Sequence, residues 1–164
     1  MAADPSNSIV VVSGDFRNGG QIPLKYVCRT MGGDNYNPSI AWSEVPDAES
    51  YALVAYNKDP DGSSKFEIIW VLSFIPSSVR SIDSYVSSKL SRLNGMIQGR
   101  NHTGDRGYQG PCVGKLGFKQ SRRYVFQIIA LDTIITEENL SVDRLNSLMD
   151  GHIIEKGMIM GRFP

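Results

Sequence analysis

Lys58-Asp59-Pro60-Asp61-Gly62 sets two carboxylates around a proline just after an apolar run. Proline fixes φ, aspartate bonds nearby backbone and glycine relaxes the exit, so the segment is a turn in its own right. Its chemical reading is that Asp59 or Asp61 points back into a pocket as an acceptor. Much later, Gly107-Tyr108-Gln109-Gly110-Pro111-Cys112 precedes Arg122-Arg123-Tyr124-Val125-Phe126. The stretch from Arg106 to Leu131 carries Arg106, Lys115, Lys119, Arg122 and Arg123 and no acid. Such a run is either a local positive field that attracts anions or a solvated rim that keeps a glycine loop soluble. Arg122 is the sharper candidate, because it stands directly before an apolar run where its planar fork could hold a carboxylate or phosphate. Both stretches lie at the edges of expected strands, where a rigid scaffold presents binding residues.

Other chemistries find less support. The histidines are His102, beside Asn101 and Thr103, and His152, which follows Gly151 and is expected to be partly buried and structural. No Gly-x-Ser-x-Gly elbow, His-Glu-x-x-His motif or clustered Cys/His set is present. The glycines between Gly95 and Gly117 lack the Gly-Lys-Ser/Thr ending of a phosphate-cradling loop. Nothing calls for a metal or a cofactor, and the chain reads as a non-enzyme. Cys28 and Cys112 cannot make a zinc site unaided and match no thiol-redox spacing. They are expected to be reduced and packed, a single disulfide being the alternative for an exported protein.

The elements that position these residues belong to one domain spanning residues 1–164. Seventeen basic and seventeen acidic side chains cancel, which excludes a protein built to coat nucleic acid. The N-terminal residues lack the basic and apolar regions of a signal peptide. The longest apolar runs are too short to span a bilayer. A cytoplasmic protein without integral membrane association is therefore expected.

Runs rich in Val, Ile, Tyr and Phe recur at Ile9–Val12, Ser39–Trp42, Ala52–Tyr56, Phe66–Ile75, Tyr124–Leu131 and Ile153–Gly161, separated by turn residues. These are strands. Phe66–Ile75 and Tyr124–Leu131 are apolar on both faces and should be central. A helix is expected from Ser141 to Gly151, with Ser141 as N-cap, Asp143 in the first turn and Leu145, Leu148 and Met149 on one face. Ile82, Val86, Leu90 and Leu93 have helical spacing and predict a second helix over Ile82 to Leu93. Gly95 to Gly117 reads as a long loop, a functional or mobile kind of segment.

These motifs, in this order, resemble the phosphatidylethanolamine-binding protein (PEBP) family, which includes the Raf kinase inhibitor proteins. Phe16 to Pro23 and Tyr26-Val27-Cys28 resemble the family's opening segment. Asn37 to Ser43 with Val45-Pro46 resembles its Ser-Pro-Pro-Leu-Ser-Trp and Val-Pro. Tyr51–Tyr56 leads into Asp59-Pro60-Asp61, and Trp70-Val71 with Ile75-Pro76 fits the strand that ends in Ile-Pro. Asn101, Gly104, Gly107-Tyr108 and Gly110-Pro111-Cys112 match the glycine-rich pocket loop. Arg123 to Phe126 and Ala130 to Asp132 match the family's next strand, and Gly151-His152 matches the end of its C-terminal helix. Cys28 and Cys112 place the chain nearest the bacterial and archaeal branch.

The resemblance implies a mainly β fold, a β-sandwich of antiparallel-rich sheets with a few flanking α-helices. It also implies a small pocket for phosphate-like or carboxylate groups, phospholipid headgroups included. Carried over by position, the ligand-binding set is Asp59, Asp61, Gly110, Pro111 and Tyr124, with Arg122 where the family has a histidine. The family's other pocket histidine falls on Ile69, which can neither donate nor titrate. Arg122 keeps a fixed charge and more donors than histidine. It is expected to pair with Asp59 or Asp61 until an anion arrives. The expected function is non-catalytic binding of a small anion in an altered pocket. The alternative is an interaction protein that inhibits a kinase or protease through the surface around the glycine-rich loop.

Overall fold

Strands with apolar residues on both faces need cover on both sides, and the fold supplies it by placing one large sheet between two layers. The computed structural model describes residues 9–60, 66–112 and 120–164. Among the described residues, β1 is Val11–Val12, β2 Ile40–Trp42, β3 Ser50–Asn57, β4 Glu67–Pro76 and β5 Ser81–Ile82. The remaining strands are β6 Arg92–Leu93, β7 Met96–Gln98, β8 Arg122–Leu131 and β9 Ile153–Phe163, with α1 at Val142–Met149. The large sheet runs β6-β7-β4-β3-β8-β9 and the small one β1-β2-β5, with antiparallel pairing throughout both.

The expected central strands are central. β4 lies between β7 and β3, and β8 between β3 and β9. Period-two alternation sends Tyr51, Leu53 and Ala55 into a core shared with Val11, Ile40, Trp42 and Ile82 from the small sheet. Ala52 and Val54 face the other way, into a second core with Ile135, Leu140, Leu145 and Met149. The helix expected after Ser141 is α1. Ser141 Oγ accepts the Arg144 backbone N–H at 3.1 Å, which satisfies one of the free donors of the first turn. Leu145 and Met149 are its buried face, and Gly151 at φ +78° takes the left-handed turn beyond its end.

The second expected helix, Ile82 to Leu93, does not form. Ile82 pairs with Ile40 in β5, Leu93 pairs with Met96 in β6, and Leu90 is exposed. Tyr85 has φ +66°, which no right-handed helix accommodates. Buried side chains collect the backbone instead. Asn37 Oδ1 accepts from Val86 N (2.9 Å) and Ser87 N (2.8 Å), and Gln98 Nε2 donates to the carbonyls of Ser88 and Leu90. The loop expected over Gly95 to Gly117 is interrupted early by β7. No helix among the described residues is long and apolar enough to cross a membrane.

Candidate functional site

β3 ends at Asn57, which is buried and whose Oδ1 accepts the Asp59 backbone N–H at 2.9 Å. That bond starts the turn anticipated at Asp59-Pro60; Asp61 lies outside the described residues, as do Lys115 and Lys119. The Asp59 carboxylate is taken by Arg123. Nε donates to Oδ2 at 2.9 Å, Nη2 to Oδ1 at 2.7 Å, and the Arg123 backbone N–H adds a third bond to Oδ2 at 2.9 Å. The Arg123 side-chain bonds, helped by the backbone N–H and the Arg123 charge, hold the Asp59 carboxyl down at about 2.

The Asp59 carboxylate is thus held by Arg123 and not by Arg122, while the expected alternative, Arg122 with Asp61, lies outside the described residues. Arg122 reaches the same residue but a different group: Nη1 donates to the Asp59 carbonyl at 2.7 Å. Alternation along β8 explains the division. Arg122 and Tyr124 share the face of Phe126 and Ile128, which belongs to the core beneath the small sheet. Arg123 points to the opposite face with Ile129 and Leu131. Arg122 is only 5% exposed, while the Arg123 side chain is 39% exposed.

The same face of the large sheet continues across the strands. Asn57 stands opposite Tyr124 on one side and Glu67 on the other, so these three side chains share a face. Ile69 is fully buried, its side chain in the core and its carbonyl accepting the Gln109 N–H at 2.8 Å. That bond docks the glycine loop on β4. Tyr108 is packed edge-on against Trp70, with ring centroids 5.7 Å apart, and its hydroxyl donates to the Tyr26 carbonyl at 2.7 Å. Burial, with Tyr124 and Tyr26 close by, pushes the Tyr108 phenol well above its usual range, so it stays neutral.

Gly110 lies flat on the 26–27 backbone. A Cβ there would collide with the Tyr26 carbonyl oxygen, so only glycine fits. Asn35 braces both sides of it, accepting from Gly110 N at 2.7 Å and donating to the Tyr108 carbonyl at 3.3 Å. The Pro111 carbonyl accepts the Cys28 N–H at 3.0 Å.

At the end of that loop Cys28 and Cys112 form a disulfide across a sequence separation of 84. The reduced thiols expected from the sequence are therefore corrected. The two strips of backbone already meet at Cys28 N and Pro111 O, which brings their Cα atoms to 5.3 Å, inside disulfide range. Beside the bond runs a cleft of about 460 Å³ whose lining includes Arg29, Thr30, Tyr36, Lys89 and Arg106. Asp59, Arg122 and Tyr124 do not line it.

Neither histidine joins the buried face. The His102 ring donates from Nδ1 to the Ile68 carbonyl at 2.8 Å, with Nε2 3.8 Å from Glu67 Oε1. His152 Nδ1 lies 2.8 Å from Asp132 Oδ1 with its side chain about half exposed, not partly buried as expected. Among the described residues neither histidine bonds a hydroxyl or a thiol. The described residues thus offer a buried guanidinium, Arg122, on the face of Tyr124, and a neutral phenol, Tyr108, in the glycine loop docked on β4. Sequence reasoning missed Asn57, Asn35 and Tyr26. Only Asn57 carried a signal, an Asx residue two positions before the turn.

Comparison with known proteins agrees with this architecture. The family model described as phosphatidylethanolamine-binding protein matches residues 12–164. A UPF0098 protein of Methanothermobacter thermautotrophicus is 33% identical over 150 residues, covering 90% of this chain and 93% of the relative. The UPF0098 protein YbhB of Escherichia coli is 33% identical over 138 residues, covering 81% and 82%. Among solved structures, the PEBP homolog CT736 of Chlamydia trachomatis superposes with a TM-score of 0.82 at 29% identity, covering 97% of this chain and 99% of that one. Escherichia coli YbcL, described as a member of the mammalian PEBP family, gives 0.84 at 25% identity, covering 94% and 97%. The chain belongs to the phosphatidylethanolamine-binding protein family.

Proposed function

We propose that this protein is a non-catalytic binder of small anions, phosphate, carboxylate or a phospholipid headgroup, in a pocket whose chief cation is Arg122. The observation that carries the reading is the burial of Arg122 on the same strand face as Tyr124, where the resemblance puts a titrating histidine. A guanidinium there is charged at every physiological pH. The carboxylate of Asp59 is engaged by Arg123, and Arg122 donates to the Asp59 carbonyl. Gly110, Pro111 and Asp61 belong to the set by the resemblance.

Titration calorimetry with phosphoethanolamine and inorganic phosphate tests this on the wild type, R122Q and the double variant I69H/R122H. Weak wild-type binding, lost by at least about tenfold in R122Q and strengthened by the two histidines, is the expected result. Equal binding by wild type and R122Q overturns the reading. A cytoplasmic location is part of the same reading; there the Cys28–Cys112 bond would be a responsive rather than a permanent tie. Cell fractionation tests it.

A second reading, inhibition of a kinase or protease through the surface around the glycine loop, draws support from Tyr36 and Tyr85. Both rings are exposed, meet edge-to-face with centroids 4.6 Å apart, and flank the segment that holds the loop. Exposed aromatic pairs are favoured anchors for protein partners. Enzyme assays with a kinase and protease panel should then show inhibition by the wild type that Y36A/Y85A loses.

A further inference from the structure

The two sulfurs of the Cys28–Cys112 bond are not equivalent. Cys28 is 2% exposed, whereas Cys112 is partly open and both residues line the 460 Å³ cleft. Thr30 Oγ lies 3.2 Å from Cys28 Sγ and 3.1 Å from Cys112 Sγ. A disulfide sulfur carries no hydrogen, so the Thr30 hydroxyl is the donor to the pair. Cations outnumber acids around the cleft: Arg29, Lys89 and Arg106 against Asp34 and Asp105, with Lys89 and Asp105 paired at 3.6 Å.

We propose that this cleft is a thiol-exchange site, at which a small anionic thiol opens the disulfide and is held on Cys112. The incoming thiolate attacks Cys112 Sγ, the sulfur within reach. A new S–S bond forms to Cys112 as the Cys28–Cys112 bond breaks, and the electron pair leaves on Cys28 Sγ. The rate of such a step depends on which sulfur is attacked and on how well the leaving thiolate is stabilised. Cys28 is buried, a setting that disfavours its anion; the Thr30 hydroxyl offsets this by donating to it until it takes a proton from water. A second thiol then attacks the mixed disulfide, releases Cys112 as thiolate and departs as the symmetric disulfide of the small thiol. Each round reduces one protein disulfide and oxidises two small thiols. The result unfastens the end of the loop that carries Gly110 and Pro111 without touching Arg122 or Asp59. This inference does not depend on what binds at Arg122.

The test uses the full oxidised chain and excess mercaptoacetate, quenched with iodoacetamide and read by intact mass and peptide mapping. The expected adduct is mercaptoacetate on Cys112 with the alkyl group on Cys28. T30V should slow the reaction about tenfold, the scale of one hydrogen bond to a charged group, and T30S should restore it. At equal thiolate concentration mercaptoacetate should outpace the cationic thiol cysteamine, and added salt should narrow the gap. An adduct on Cys28 in the wild type, a wild-type rate in T30V, or a lead for cysteamine would each overturn the proposal. The adduct position is read on the wild type, so it decides even where T30V folds poorly.

Discussion

The glycine-loop half of the candidate site and its Asp59 half are held by different forces. On the loop side, Tyr108, Gly110 and Pro111 are fastened by backbone carbonyls, the Asn35 amide, a neutral phenol and a disulfide. None of these bonds changes with pH in the physiological range. On the other side, the turn after β3 is held by a guanidinium–carboxylate pair with a third of the Asp59 side chain exposed. That half responds to acid and salt and is indifferent to reductant. One half of the candidate site is thus sensitive to redox conditions and the other to charge.

Experiments can separate the two halves, and the largest effect should come from the covalent one. Replacing both Cys28 and Cys112 by Ala removes a closure of 84 residues, and urea unfolding should show a loss of about 4 kcal/mol from unfolded-state entropy. A loss near zero would mean that the hydrogen bonds alone fasten the loop. Next is G110A. Its Cβ meets the Tyr26 carbonyl, and the loop must lift, at a cost of about 3 kcal/mol by the same measurement. R122A removes the buried donor to the Asp59 carbonyl and should cost about 2 kcal/mol. It should leave the rate of disulfide reduction unchanged; a faster rate would show that the halves are coupled.

The smallest effect belongs to Asp59. Its carboxyl is lowered from 3.8 to about 2, so the pair stabilises the fold above pH 3.8 and that contribution is lost as the pH falls through about 2. D59N should be slightly less stable than wild type at neutral pH and converge on it only as the pH drops below about 2. Acid denaturation monitored by tryptophan fluorescence reads the difference, and a gap that does not narrow as the pH falls from 3.8 through about 2 would assign Asp59 a role other than its charge.

The strands β1 to β4, β8 and β9 and the helix α1 could be read from the chain because their signals are local: apolar runs bounded by turn residues, and a serine cap before an apolar helical face. The segment after Ile82 misled because its spacing was helical while its fate was settled elsewhere. Asn37 and Gln98 reach into it from other elements and take its backbone groups. The same distinction applies within the site. That Arg122 and Arg123 point to opposite faces follows from strand alternation alone. Which of them meets the Asp59 carboxylate depends on the β3–β8 register, which places Asn57 opposite Tyr124, and no local pattern encodes that. The disulfide was hidden for a related reason: two cysteines far apart in sequence show no sign that Cys28 N and Pro111 O will bring them together.

The position of β3 has a consequence for how the protein is made. One edge of β3 pairs with β4, the next strand of the chain, but its other edge belongs to β8. β8 is synthesised roughly 70 residues later, which at ribosomal rates is a wait of about 4–15 s. During that interval the nascent chain carries an apolar hairpin with an open edge, the kind of surface on which strands of other chains add. Vulnerability to aggregation should therefore peak before residue 131 leaves the ribosome. Truncations that stop short of β8 should be far less soluble than the complete chain.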